Sequence, residues 1–274
     1  MSTNKGTQKN DTRPVISSNR TDLVCILEML DSLPIGRRAK IVDVSCGKGA
    51  LVKELIRRGF DARGTRFDQV LPPIEGAPVD GGVDVARGLP YPDASFDVVI
   101  MTDVIEHLEP HIAIVASLAR VIKPGGWLIL STANVMRLDS RLAFFLSGLP
   151  KPKRRLMPLD AEASEERSYH NHPVWFPEMY HLLRQNGLEL KRLGKSRVKA
   201  ISRILYPLFF PLVAANTFFR LLVRERRYLR RRSRKPSLEL NRQLMKWMLN
   251  RRMLIDDHLV MLAEKRSDGP GIDS

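Results

Sequence analysis

From residue 40 to residue 134 short strand-like runs alternate with helix-patterned segments, and no other feature narrows the possible folds as much. Lys40–Ser45 is rich in β-branched residues and leads into Gly47 and Gly49. Ala50–Arg58 then places Leu51, Leu55 and Ile56 on one side, and Phe60–Thr65 is a second candidate strand. Residues 71–82 hold many prolines and glycines and read as loop, with Val83–Val85 as a short strand after them. Phe96–Met101 is a continuous apolar run, the pattern of a strand buried on both faces of a parallel sheet. Ile112–Ile122 has helical periodicity and is expected to stop at Pro124-Gly125-Gly126, after which Trp127–Thr132 reads as another buried strand. The alternation predicts an α/β fold with a doubly wound sheet, in which ligands sit beyond the carboxyl ends of the strands.

Outside this stretch the pattern is looser. Met1–Arg20 is polar and lacks the apolar run of a signal peptide, so it reads as a disordered lead-in to a cytoplasmic protein. Residues 21–31 read as a helix. Lys151–Arg155 is basic and Ala161–Arg167 is charged, which suggests a lid or insertion over about 137–173. Pro177–Asn186 reads as a helix capped by Gly187, Leu188–Leu193 as a strand and Leu259–Ala263 as a final strand. Two cysteines, Cys25 and Cys46, make no disulfide framework.

The formal net charge is +15, and its distribution matters more than its size. Residues 1–150 hold 18 basic and 17 acidic side chains, whereas residues 195–252 hold 17 basic and 2 acidic. One concentrated basic segment calls for an anionic partner.

Chemistry concentrates in a few blocks. Asp43-Val44-Ser45-Cys46-Gly47-Lys48-Gly49 lies between a strand and a helix, where small residues let a ligand approach the backbone and the helix start offers free N–H groups. This block resembles motif I, D-x-G-C-G-x-G, of the class I S-adenosylmethionine-dependent methyltransferases. Leu89–Val99 (LPYPDASFDVV), Asp103–Leu108 (DVIEHL) and Ala119–Leu128 (ARVIKPGGWL) resemble further blocks of that family, in the family's order. Ser131–Asn134, Asp139–Leu142 and His170-Asn171-His172-Pro173 are similar to the type 11/type 23-like branch associated with glycans and lipid-linked glycans.

The resemblance implies a Rossmann-like sheet of seven strands and S-adenosyl-L-methionine as cofactor, and the charge pattern adds a C-terminal helical basic insertion. It implies a methyltransferase domain over 21–197, an insertion over 198–252, the last strand of the sheet within 253–266 and a tail over 267–274. Ser45, Cys46, Gly47 and Gly49 would line the methionine end of the cofactor, and Asp43 would orient that loop and reach the cofactor's amino group. Asp84, with Val85, would face the adenine, and Thr102 and Asp103 would close the pocket floor. His107 is the candidate general base, and His170 and His172 are candidate lid residues. Neither histidine has a cysteine or acidic partner at ligand spacing, so no metal is assigned.

Two positions depart from the family pattern. Ser45 replaces the first motif glycine, which a turn tolerates if φ stays negative. Arg66 stands where an acid usually accepts hydrogen bonds from the ribose hydroxyls, and a guanidinium has no acceptor. Asp68, two residues on, is the candidate substitute; without one, a non-catalytic scaffold that keeps the fold is the alternative.

The insertion opens with residues 200–223, in which Arg203 and Arg220 are the charged residues, followed by the arginine-rich Arg224–Lys235. The uncharged stretch Ile204–Phe219 is shorter than the roughly 20 residues of a membrane span and contains Pro207 and Pro211. The expectation is therefore a segment, 200–235, lying on an anionic membrane surface, which would make the enzyme peripheral on the inner face of a membrane. An arm for RNA and plain helical packing are the competing readings. Residues 238–249 read as a further helix. Together these features predict O-methylation of a small-molecule, glycan or lipid-linked glycan acceptor, with RNA methylation as the alternative.

Overall fold

A computed structural model describes residues 20–69, 73–149, 172–230 and 236–267. The lead-in up to residue 19, most of the expected lid with Lys151–Arg155, Ala161–Arg167 and His170, the arginines of 231–235 and the tail from 268 lie outside the described residues.

Helix α1 (Arg20–Asp31) precedes a regular alternation: β1 (Lys40–Val44), α2 (Ala50–Arg57), β2 (Asp61–Thr65), β3 (Val79–Asp80), β4 (Phe96–Thr102), α3 (His111–Val121) and β5 (Ile122–Ala133). Then come α4 (Leu138–Ser147), α5 (Phe176–Gln185), β6 (Leu188–Leu193), α6 (Ala200–Arg230), α7 (Pro236–Met248), α8 (Arg251–Ile255) and β7 (His258–Lys265). The seven strands form one sheet in the order β3-β2-β1-β4-β5-β7-β6. β7 runs antiparallel to both its neighbours, and the other pairings are parallel. The strand order reverses between β1 and β4, and a crevice at their carboxyl ends is where such a sheet binds its ligand.

The central strands are apolar at successive positions because both faces are covered. Val98 and Ile100 pack with Met29, Leu30 and Leu55 on the side of α1 and α2, while Val99 and Met101 pack with Ile114, Leu118 and Leu183 on the side of α3 and α5. All four of these β4 residues are fully buried, each worth about 1.5–3 kcal/mol of apolar transfer.

Three local expectations are corrected. A strand lies at Val79–Asp80, inside the stretch read as loop, because Gly64 and Thr65 of β2 pair with it. Val83–Val85 is not a strand: Asp84 Oδ1 accepts from the Ala86 N–H at 3.1 Å and fixes a 3-10 turn over Val85–Arg87. Pro124-Gly125-Gly126 does not separate helix from strand but lies within β5, as a bulge between the pairs Phe96–Ile122 and Val98–Trp127. Gly126 is needed there, since a Cβ would come within 2.9 Å of the Asp97 carbonyl.

The insertion expected to be helical opens with α6, a single helix of 31 residues that runs through Pro207 and Pro211. Each proline removes one helical hydrogen bond. Both lie on the exposed side, four residues apart, so the packed side is uninterrupted. Inward, Leu205 is buried with Leu138 of α4 and Leu254 and Ile255 of α8, and Tyr206, Phe209, Phe210 and Val213 pack against that cluster.

Candidate functional site

The site is built at the carboxyl edge of the sheet, from the turns that leave β1, β2 and β4. After β1 the chain turns through Ser45, Gly47 and Gly49 with φ of 60°, 54° and 70°. The negative φ expected for Ser45 is therefore not observed. The serine keeps the left-handed backbone that a glycine would adopt, at a cost of about 1–2 kcal/mol. Two anchors offset it: the Ser45 N–H donates to Thr65 Oγ1 at 3.0 Å, and the Cys46 N–H donates to the Thr65 carbonyl at 2.8 Å. Gly47 faces open space, with nothing within 4 Å of the position its Cβ would occupy. The half-buried Cys46 thiol is pushed up to about 12 by burial and by the charge of Asp43, so it stays protonated.

Asp43 sits beneath this turn, 3% exposed. Its Oδ1 has no hydrogen-bond partner among the described residues, and burial pushes its carboxyl up to about 7. An orphaned buried carboxylate oxygen beside an open glycine turn fits a cationic ligand group, such as an α-ammonium, reached directly or through water.

The turns after β2 and β3 enclose a cavity of about 600 Å³ lined by Phe67, Asp68, Val83, Asp84 and Pro90, among others. It thus brings Asp68 and Asp84 to one space, with an aromatic ring and an aliphatic side chain beside them. Asp84 Oδ2 lies 3.4 Å from Arg87 Nε. Val85 is buried and its backbone opens the 3-10 turn. Arg66 is half-buried at the end of β2, its N–H donating to the Asp80 carbonyl and its carbonyl accepting from the Val83 N–H.

At the tip of β4, Thr102 pairs in register with Ser131 of β5. Asp103 takes φ 52°, its N–H donating to the Ser131 carbonyl at 3.1 Å and its Oδ1 accepting from Ser131 Oγ at 3.0 Å. A non-glycine residue held at positive φ at a strand tip is a common form of stored strain at functional sites. His107 ends a 3-10 turn over Ile105–His107 and is half-buried. A different imidazole stands against Asp103: His258 Nε2 is 3.9 Å from Asp103 Oδ1. His258 is the first residue of β7, and because β7 is antiparallel its start lies at the carboxyl edge of the parallel strands.

Glu106 closes the floor. It is 1% exposed and accepts from Thr132 Oγ1 at 2.9 Å and from the Ala133 N–H at 3.3 Å. Burial first, and the neighbouring Asp103 second, push its carboxyl up to about 7. His172 caps the same corner: its N–H donates to the Glu106 carbonyl at 3.2 Å and its Nδ1 lies 2.8 Å from Glu109 Oε1.

A second polar cluster lies just past β5. Asn134 Nδ2 donates to the carbonyls of Met253 and Asp256. Arg137, 1% exposed, pairs with Asp139 at 2.7 Å and with Asp257, and Lys199 reaches Asp257 at 2.8 Å. These contacts tie the exit of β5 to the segment entering α6 and to the start of β7. The sequence reading did not single out Glu106, Arg137 or His258.

Comparison with known proteins places these residues in context. A family model described as "Methyltransferase domain" matches residues 10–193. A ubiquinone biosynthesis O-methyltransferase of Bordetella avium is 28% identical over 204 residues, 72% of this chain and 80% of that protein. A 2-methyl-6-phytyl-1,4-hydroquinone methyltransferase of Synechocystis is 36% identical over 112 residues, 38% of this chain and 35% of that protein. The chain thus spans from about a third to four-fifths of these curated relatives. Among solved structures, the YcgJ protein of Bacillus subtilis superposes with a TM-score of 0.51 at 14% identity, covering 89% of this chain and 98% of that one.

Proposed function

Since the chain belongs to the methyltransferase-domain family, and is therefore an S-adenosylmethionine-dependent methyltransferase, we propose that it methylates a hydroxyl oxygen on a hydrophobic acceptor, such as a hydroquinone or a lipid-linked sugar. The observation that carries this reading is the His258–Asp103 pair at the strand tips. A hydroxyl is a poor nucleophile until its proton is removed, and an imidazole beside a carboxylate can remove it. The names of the relatives support an oxygen acceptor and an apolar one: an O-methyltransferase of ubiquinone biosynthesis and a methyltransferase of a phytyl hydroquinone.

S-adenosylmethionine, when bound, supplies a methyl group made electrophilic by its sulfonium. The chain's own residues do the rest. Asp43 would receive the ammonium end, the Ser45–Gly49 backbone would hold the carboxylate end, and Asp68 and Asp84 would offer acceptors to the ribose hydroxyls and the adenine amine. Alignment of acceptor and methyl group supplies most of the rate. A proton taken from the acceptor onto His258 would leave an imidazolium beside Asp103, whose carboxylate stabilises it, and then pass to solvent.

Replacement of His258 by Gln is expected to lower kcat about 100-fold, the low end for a general base, since the pair is partly exposed and 3.9 Å apart. S-adenosylhomocysteine affinity stays unchanged. The assay follows tritium from labelled cofactor into a lipid extract. An unaltered kcat in the variant eliminates His258 as the base, and label recovered only in RNA replaces the proposed acceptor class.

A further inference from the structure

α6 is apolar on both of its sides. Its inward side packs on α4 and α8, while Ile201, Ile204, Leu208 and Leu212 recur every three to four residues along the outward side and Phe219 follows two turns on, with Leu208 70% exposed. The end of α4, which packs against α6, adds Phe145 at 84% and Leu146 at 73%. A helix that is hydrophobic all round belongs in a core or in lipid, and clustered exposed apolar side chains on two packed helices mark an interaction surface.

Charge selects the occupant. Lys195, Arg197, Arg203 and Arg220 are exposed around this face. Arg224, Arg226, Arg227 and Arg230 follow in the same helix, and Glu225 is its one acidic residue. Apolar stripe and flanking cations together fit an anionic bilayer. A second copy of so basic a chain would bring like charges together.

The stretch Ala200–Arg220 is long and apolar enough to cross a membrane, but two features place it parallel to the surface. Its inward side is committed to α4 and α8. After α6, the chain returns to the same sheet as β7, which a single crossing would prevent. We propose that α6 and the end of α4 lie in the plane of an anionic membrane, with Ile204, Leu208, Leu212, Phe145 and Leu146 in the acyl boundary and Arg203 and Arg220 on lipid headgroups. α4 follows the carboxyl end of β5, Asn134 ties α8 there, and α6 packs on α4, where Ser202 Oγ donates to Asp139 Oδ1. The docked face therefore shares an edge with the methyl-transfer site. This inference rests on the exposed face and not on the identity of the acceptor.

The test is co-sedimentation of the full chain with phosphatidylcholine vesicles containing about a third phosphatidylglycerol, and with pure phosphatidylcholine vesicles, at physiological salt. The wild type is expected to pellet with the anionic vesicles and far less with the neutral ones. Leu208→Glu with Leu212→Glu is expected to weaken that partition at least tenfold with unchanged thermal unfolding, because both side chains are exposed. Phe145→Ser, on the other helix, weakens it less and in the same direction. A wild type that stays in the supernatant overturns the proposal, as does a double variant that binds like wild type. A dimer that the double variant abolishes, without vesicle binding, gives the face to a second copy. Salt-sensitive RNA binding without vesicle binding gives the arginines to nucleic acid.

Discussion

Asp43→Asn is expected to abolish measurable S-adenosylhomocysteine binding, a loss of at least about 1,000-fold, while the free protein becomes more stable at neutral pH. The two effects share one cause. In the free protein Asp43 is fully buried with an unmet oxygen, and its carboxyl titrates at about 7 instead of 3.8. A carboxyl raised in the folded state favours folding while protonated, and that contribution fades as pH climbs from about 4 to about 7. Above that range the folded protein carries a buried charge at a cost on the order of 4 kcal/mol. Asparagine removes the charge and with it the penalty. It also removes the anion that would meet the ligand's ammonium, an interaction worth several kcal/mol out of water. Ligand affinity should accordingly fall about tenfold per unit below pH 7, because binding then expels a proton, and level off above it. Calorimetry in buffers of different ionisation enthalpy reads that proton directly. Undiminished affinity in the variant would falsify the cofactor role given to Asp43, and a lower melting temperature at pH 8 would contradict the account of its burial.

Arg137→Met should cost about 3–5 kcal/mol of stability, which lowers the melting temperature by roughly 10 °C in a domain of this size. The guanidinium is almost completely buried between Asp139, itself 4% exposed, and Asp257. Removing it strands Asp139 without a counter-charge and leaves Asp257 to Lys199 alone. The loss should be largely recovered by adding Asp139→Leu, since an apolar pair of similar volume avoids the desolvation that the ions pay for. Scanning calorimetry of the single and double variants settles it: a single variant within about 1 kcal/mol of wild type means that the cluster contributes little, whatever its geometry.

The fold was readable where burial left a one-dimensional trace. Phe96–Met101 had to be covered on both faces, and it is β4 at the centre of the sheet. Leu188–Leu193 after Gly187 is β6, residue for residue. Turn chemistry was harder to read. Pro124-Gly125-Gly126 looks like a helix stop, yet it is a bulge inside β5, because the pairing of Ile122 with Phe96 holds the strand together before the glycines. Pro207 and Pro211 lie within α6, and packing of Leu205 and Phe209 keeps the helix continuous past them. In the site, the residues read from local motifs were those near β1, β2 and β4. His258 lies 155 residues beyond Asp103. No local pattern joins the two, and the antiparallel sense of β7 alone makes them neighbours. Arg137 carried no signal either, for a buried arginine looks like a surface one until its two carboxylates arrive from elsewhere.

That reversed strand has a consequence for biosynthesis. β5 and β6 do not touch each other; both pair with β7, which is translated after α6 and α7. While β7 is still inside the ribosome, each of them presents a bare edge, the template on which chains aggregate. The greasy, arginine-flanked α6 has by then already emerged. A nascent chain therefore offers its stickiest helix to the surroundings before it can close its own sheet.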